Sequence, residues 1–242
     1  MNQRPLPMLA VASAPFDSPD YLFEVKWDGV RALAACGPGE WSMWGREGAD
    51  YSGRYPELEV LRRLPAGTIL DGELVRPGPS GRSELGAILS RHQLSSPARI
   101  HRASRSQPVC YVVFDLLYHR DRSLLGEPLR DRRATLQELV QRLHEPVLLF
   151  SEGVVGPGKA FFAALVAQGQ EGMMAKHLAS RYRPGRRSAA WRKIKPPPIP
   201  GTKGNATGKV PPRANVGATA AKSGARPRYE AVGPLAGLAG QM

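Results

Sequence analysis

The hexapeptide Lys26-Trp27-Asp28-Gly29-Val30-Arg31 sets an amine, a carboxylate and a guanidinium around one glycine, between the apolar runs YLFEV and VRALAAC. A lysine amine becomes a nucleophile when it loses its proton, whereas arginine stays protonated in proteins. This chain writes most of its positive charge as arginine: of 34 Lys+Arg, only eight are lysine. Lysines kept against that bias are candidates for chemistry that arginine cannot do. Asp28-Gly29 reads as the turn of an antiparallel hairpin. Such a hairpin would hold Lys26 at its mouth with Arg31 returning beside it. A partly desolvated lysine next to a second cation has its pKa pushed below ~10.4, which raises the share of free amine.

Further polar groups recur at strand ends and beside turns, where sites tend to be built. Glu24 precedes Lys26 by two residues, and Arg46 lies in WGREGADYSGRYPEL. Glu73 sits in LDGELV, Phe114 and Asp115 in VVFDLLY, Glu171 and Lys176 in EGMMAK. Arg186 and Arg187 fall in RYRPGRRSAAW, which leads into WRKIK with Lys193 and Lys195. The two last lysines alternate with Ile194, so both point to one face of a strand.

This ordered set resembles the ATP-dependent DNA ligases, members of the covalent nucleotidyltransferase superfamily that also holds RNA ligases and mRNA capping enzymes. K-x-D-G-x-R resembles their nucleotidyl-acceptor motif, and RYRPGRRSAAW favours the DNA class. The resemblance covers about residues 20–195. It implies that Lys26 attacks the α-phosphate of ATP, expelling pyrophosphate and forming a phosphoramidate with AMP. It implies that Glu24 meets the adenine amino group, that Phe114 stacks on the base and that Arg31 belongs to the nucleotide site. Glu73 is expected to hold the ribose, and Arg46 the ribose or a phosphate of the nicked strand. Glu171 is the expected ligand of Mg2+, a hard cation that takes carboxylate oxygen. Lys193 and Lys195 would neutralise charge developing on the α-phosphate, and Arg186 and Arg187 would meet DNA phosphates. Asp28 either orients a metal-bound water or caps the turn, and Lys176 is either a groove lysine or a site group.

The elements that must position these groups follow from apolar periodicity. Strands are expected at 21–25, 30–36, 40–44, 68–75, 109–118, 147–151, 172–176 and 191–195, and helices at 55–64, 83–92, 129–143 and 158–169. Their irregular order predicts an α+β fold. The resemblance specifies it as the nucleotidyltransferase fold of ligase adenylation domains, antiparallel sheets flanked by helices, ATP-grasp-like.

Residues 1–195 read as one folded domain with the adenylation motifs. Residues 196–242 hold eight prolines, eight glycines and nine alanines, with six Lys/Arg against Glu230 alone. Such a segment cannot bury enough apolar surface to order itself, so a disordered basic tail is expected. It lacks the alternating strands of the OB-fold domain that follows in family ligases. The expectation is therefore a catalytic domain without that lid: a stand-alone domain, a truncated gene product, or a subunit completed by a partner chain that supplies an OB-fold or end-joining factors. The alternatives are a catalytically impaired nick-binding protein, an RNA ligase or a capping-type enzyme.

The formal net charge of +13 points to a polyanionic partner, here nicked double-stranded DNA. Two cysteines exclude a disulfide framework or a zinc finger, and Cys36 and Cys110 read as buried thiols of a reducing compartment. No run approaches the ~20 apolar residues of a membrane span, so the expected location is cytoplasmic.

Overall fold

The structure is a computed structural model that describes residues 4–37, 39–78 and 82–197. The chain divides into two units, Met1–Lys195 and Pro196–Met242, and nearly all described residues belong to the first. The tail expected to be disordered lies, from residue 198 onward, outside them.

β-branched, aromatic and leucine-rich runs build two sheets. The first has the order β1-β11-β10-β2-β9, from Leu9–Ala12, Arg187–Ile194, Met173–His177, Ser18–Val25 and Gly153–Gly156. The second has the order β4-β3-β5-β6-β7, from Glu40–Gly45, Val30–Gly37, Thr68–Val75, Cys110–His119 and Arg122–Ser123. A short strand β8, Leu148–Phe150, adds to β6 in parallel. β1 also runs parallel to β11, and the other pairs are antiparallel.

The sheets face each other through Leu33, Ile69 and Leu117 of the second and Trp191 of the first, joined by Met8 and Tyr182. Trp191 is wholly buried there, and burial of so large a ring contributes about 1.5–3 kcal/mol. The outer face of the second sheet carries the larger core. A 3-10 helix Pro56–Arg63, α1 Leu85–His92 and α3 Leu129–Leu143 pack on it through Leu58, Leu61, Ile88, Leu136 and Leu139. A helix α2, Pro97–Ser106, lies against the 3-10 helix, and α4, Gly158–Ala167, against β2, β9 and β10. None of the described helices is long and apolar enough to cross a membrane.

The hairpin expected at Asp28-Gly29 is not there. β2 lies in the first sheet and β3 in the second, and residues 26–29 carry the chain across. Gly29 has no positive φ, so it does not serve the hairpin turn that Asp-Gly usually signals. It is a glycine because a Cβ there would overlap the carbonyl oxygen of Leu74 on β5. Three smaller differences concern local elements. The segment 55–64 forms a 3-10 rather than an α-helix, β11 begins at Arg187 rather than at residue 191, and α2, β1, β7 and β9 were not anticipated.

Candidate active site

Where the chain leaves β2 for the second sheet, the sheets part and leave a cleft of about 290 Å³, near the lower size of small-molecule sites. Its walls include Glu24, Lys26, Arg46, Glu73, Lys193 and Lys195. Of the other expected site residues, Arg31, Phe114, Lys176 and Arg187 also line it. Arg186 does not. Glu171 joins the cleft through its ion pairs, one carboxylate oxygen on Lys26 and the other on Lys195. Residues from both sheets thus converge on one cleft.

The crossover sets the amine. The Lys26 N–H donates to the Gly172 carbonyl at 3.0 Å, which ties the crossover to the turn that bears Glu171. Gly172 has φ +149 and sits so close to β11 that a Cβ would overlap the Ile194 carbonyl oxygen. Lys26 therefore neighbours a carboxylate. The second cation expected beside it, Arg31, points elsewhere: its guanidinium makes two 2.6 Å bonds to the buried Asp71. Tyr182 donates its hydroxyl to the same carboxylate at 2.6 Å. Arg31, Asp71 and Tyr182 thus form a closed network.

Carboxylates crowd the floor. Burial pushes Glu73 up to about 7, opposed by Arg31 and Lys26 and reinforced by Asp71 and Glu171. Burial also raises Asp28, and the charge of Glu171 adds to that, while Lys26 and Lys195 oppose it. A divalent cation would relieve this crowding. Among the described residues no three His, Cys, Asp or Glu side chains gather to hold a metal. The donor set fits Mg2+, which keeps water and phosphate oxygens and needs only one or two carboxylates.

At the opposite end the groups are buried ones. Glu24, 1% exposed, pairs with Lys176 through one oxygen and with Arg133 through the other. Phe114 is 5% exposed, with the Lys176 amine 3.9 Å and the Arg31 guanidinium 4.5 Å from its ring centre. Trp191 meets it edge-on at 6.3 Å. Burial pulls Lys176 down to about 8, with Glu24 opposing and Arg133 assisting. Glu24 is therefore no outward strand carboxylate, and Lys176 stands within the site.

Two arginines that the sequence reading passed over hold this end together. Arg132 makes 2.7 and 2.8 Å bonds to both oxygens of Asp115, and Arg133 reaches Glu24. Their signal is in α3: among Leu129, Leu136, Leu139 and Val140, the arginines occupy the inward positions at apolar spacing.

The sequence model of the ATP dependent DNA ligase domain matches residues 7–195. The chain belongs to that family. Curated relatives include the SPbeta prophage-derived DNA ligase-like protein LigB of Bacillus subtilis, 29% identical over 180 residues. That match spans 74% of this chain and 63% of LigB. The multifunctional non-homologous end joining DNA repair protein LigD of Mycobacterium tuberculosis is 35% identical over 193 residues, 78% of this chain and 24% of LigD. Among solved structures, the ligase domain of M. tuberculosis LigD superposes with TM-score 0.66 at 33% identity, over 79% of this chain and 60% of that one. A mycobacterial DNA ligase D complexed with ATP and MES gives TM-score 0.62. The chain spans less than two thirds of each of these relatives.

Proposed function

We propose that this chain is the catalytic domain of an ATP-dependent DNA ligase that forms a lysyl-AMP at Lys26 and seals nicks in DNA. The observation that carries the reading is Glu171 gripping Lys26 and Lys195 at once. It gathers the nucleophile and a cation of the last strand around one carboxylate, at a cleft that Glu24, Phe114 and Lys176 also line.

The amine of Lys26 would attack the α-phosphorus of ATP in line. An N–P bond forms, the P–O bond breaks with its electron pair leaving on pyrophosphate, and the lysine proton passes to that leaving group or to water. Lys193 and Lys195 face the same cleft and offset the negative charge that grows on the α-phosphate. Glu73 would take the ribose hydroxyls, Phe114 the face of the adenine and Glu24 its amino group. Glu171, with Asp28 near it, would hold Mg2+, whose bound form neutralises phosphate charge. AMP would then pass to the 5′-phosphate of a nick held by Arg46 and the Arg186-Arg187 pair, and the neighbouring 3′-hydroxyl would expel it.

Intact mass after incubation with ATP and magnesium tests the reading, and the expected result is one added AMP. Sealing of a pre-adenylylated nick tests the last step separately. A chain that binds nicked DNA but neither gains AMP nor seals that substrate is a nick-binding protein instead.

A further inference from the structure

Arg133 lies on a helix outside the sheets, yet its guanidinium passes through to the nucleotide end of the cleft. It donates to Glu24 at 3.0 Å, to the Phe114 carbonyl at 3.1 Å and to the Ser151 carbonyl at 2.5 Å. The Phe150 ring lies 4.5 Å from it. Those partners come from β2 in the first sheet, from β6 in the second and from the turn after β8. Arg133 is only 7% exposed, so its charge is committed to these groups and not to solvent.

We infer that Arg133 is a positioning residue for base selection: it fixes the Glu24 carboxylate, ionised and aimed into the cleft, so that adenine is accepted over guanine. The inference rests on the proposed role of Glu24 toward the 6-position of the purine. An ionised carboxylate only accepts hydrogen bonds. It rewards the amino group of adenine and meets the 6-keto oxygen of guanine with two acceptors face to face. That discrimination requires the carboxylate to stay charged and to stay put.

Lys176 alone cannot guarantee either condition. It too grips Glu24, but burial makes its proton labile near pH 8. Arginine keeps its charge throughout, and its planar fork fixes a direction that an ammonium does not. The two cations thus divide the work. Arg133 holds one oxygen of Glu24 permanently, and the other oxygen remains beside the cleft with Lys176. The Arg133 guanidinium also donates to the Phe114 carbonyl, so the carboxylate and the backbone that bears the stacking ring are tied to one side chain.

The test is direct binding of ATP and of GTP to the full chain by calorimetry, for the native sequence, Arg133→Lys, Arg133→Gln, Glu24→Gln and the double variant Glu24→Gln/Arg133→Gln. The native chain should prefer ATP. Each Arg133 substitution should cut that preference by about tenfold or more, the scale of one lost charge-assisted hydrogen bond. In the Glu24→Gln background, Arg133→Gln should cut it no further, because Arg133 acts through Glu24. A purely structural role would weaken both nucleotides alike and leave the preference intact, which would overturn the inference. An undiminished further loss in the double variant would overturn it as well. The double variant strands no carboxylate beside a lost cation, so its comparison with Glu24→Gln stands even where the single Arg133 variants fail to fold. If the native chain binds neither nucleotide, the proposed function itself fails. If it binds ATP preferentially and the Arg133 variants keep that preference, only this inference fails.

Discussion

Lys26 and Glu73 show how one cleft holds groups with opposite demands. Lys26→Arg keeps a cation for Glu171 but offers no amine, so the AMP adduct should disappear from the mass spectrum while nucleotide binding persists. An adduct that survived would place the nucleophile elsewhere. Glu73 carries electrostatic strain, because burial lifts its pKa from the ordinary 4.5 to about 7. A raised folded-state value means that the fold binds the proton more tightly than the unfolded chain does. The protonated carboxyl therefore contributes stability fully below pH 4.5, and this is lost as the pH rises through 7. The penalty of ionising it in place is at most about 3 kcal/mol by linkage. Glu73→Gln, measured by thermal melting without nucleotide, should raise Tm at pH 8 and change it little at pH 5. Equal shifts at both values would show that Glu73 titrates normally. A residue that destabilises the empty fold yet lines its cleft fits a group kept for a ligand.

At the scale of elements, Gly172 makes the decisive join. It lies where the turn bearing Glu171 meets both the Lys26 amide and the end of β11. Gly172→Ala must either abandon φ +149 or push β11 away. The expected cost is about 1–3 kcal/mol of stability, with loss of adduct formation beyond what the lower stability explains. A variant that melts lower but still labels at the native rate would show that the Glu171 turn is not what orients Lys26. The same join shows what a sequence can disclose. Eight of the eleven described strands and three of the four described α-helices were legible, because apolar period 2 and period 3.6 are local signals. The division into two sheets was not. Asp28-Gly29 writes a hairpin, and only the close passage past the Leu74 carbonyl explains why that glycine marks a crossover instead. Helix α2 was hidden for another reason: Ile100 is the one large apolar residue of PARIHRASRS and the only one buried, so the run reads as polar. Residues that line the cleft were legible as far as their motifs reached. Arg132, Arg133 and Asp71 were not, since charged side chains are read as surface until a partner is seen in the core.

At the scale of the whole molecule, charge decides how a nick would be met. The excess of +13 is spread over the full chain, so long-range attraction to DNA needs no particular arginine. Registration of a nick over the cleft does. Arg187 begins β11, lines the cleft and donates to the Ala10 carbonyl at 2.5 Å, which makes it part of the β1–β11 join as well as a candidate phosphate contact. Arg186 is exposed in the turn before β11, and its backbone alone serves the fold, through the 2.9 Å bond from Leu9 to its carbonyl. It is therefore the cleaner probe of the DNA surface. Arg186→Ala should leave Tm nearly unchanged and weaken binding to a nicked duplex. The log–log dependence of affinity on salt should flatten by about one unit, the signature of one lost phosphate contact. Arg187→Ala should flatten it equally but also lower Tm, because β1 loses its hold on β11. Were Arg186→Ala to weaken binding with no change in slope, the arginine would not touch phosphate, and the nick would approach the cleft from another side.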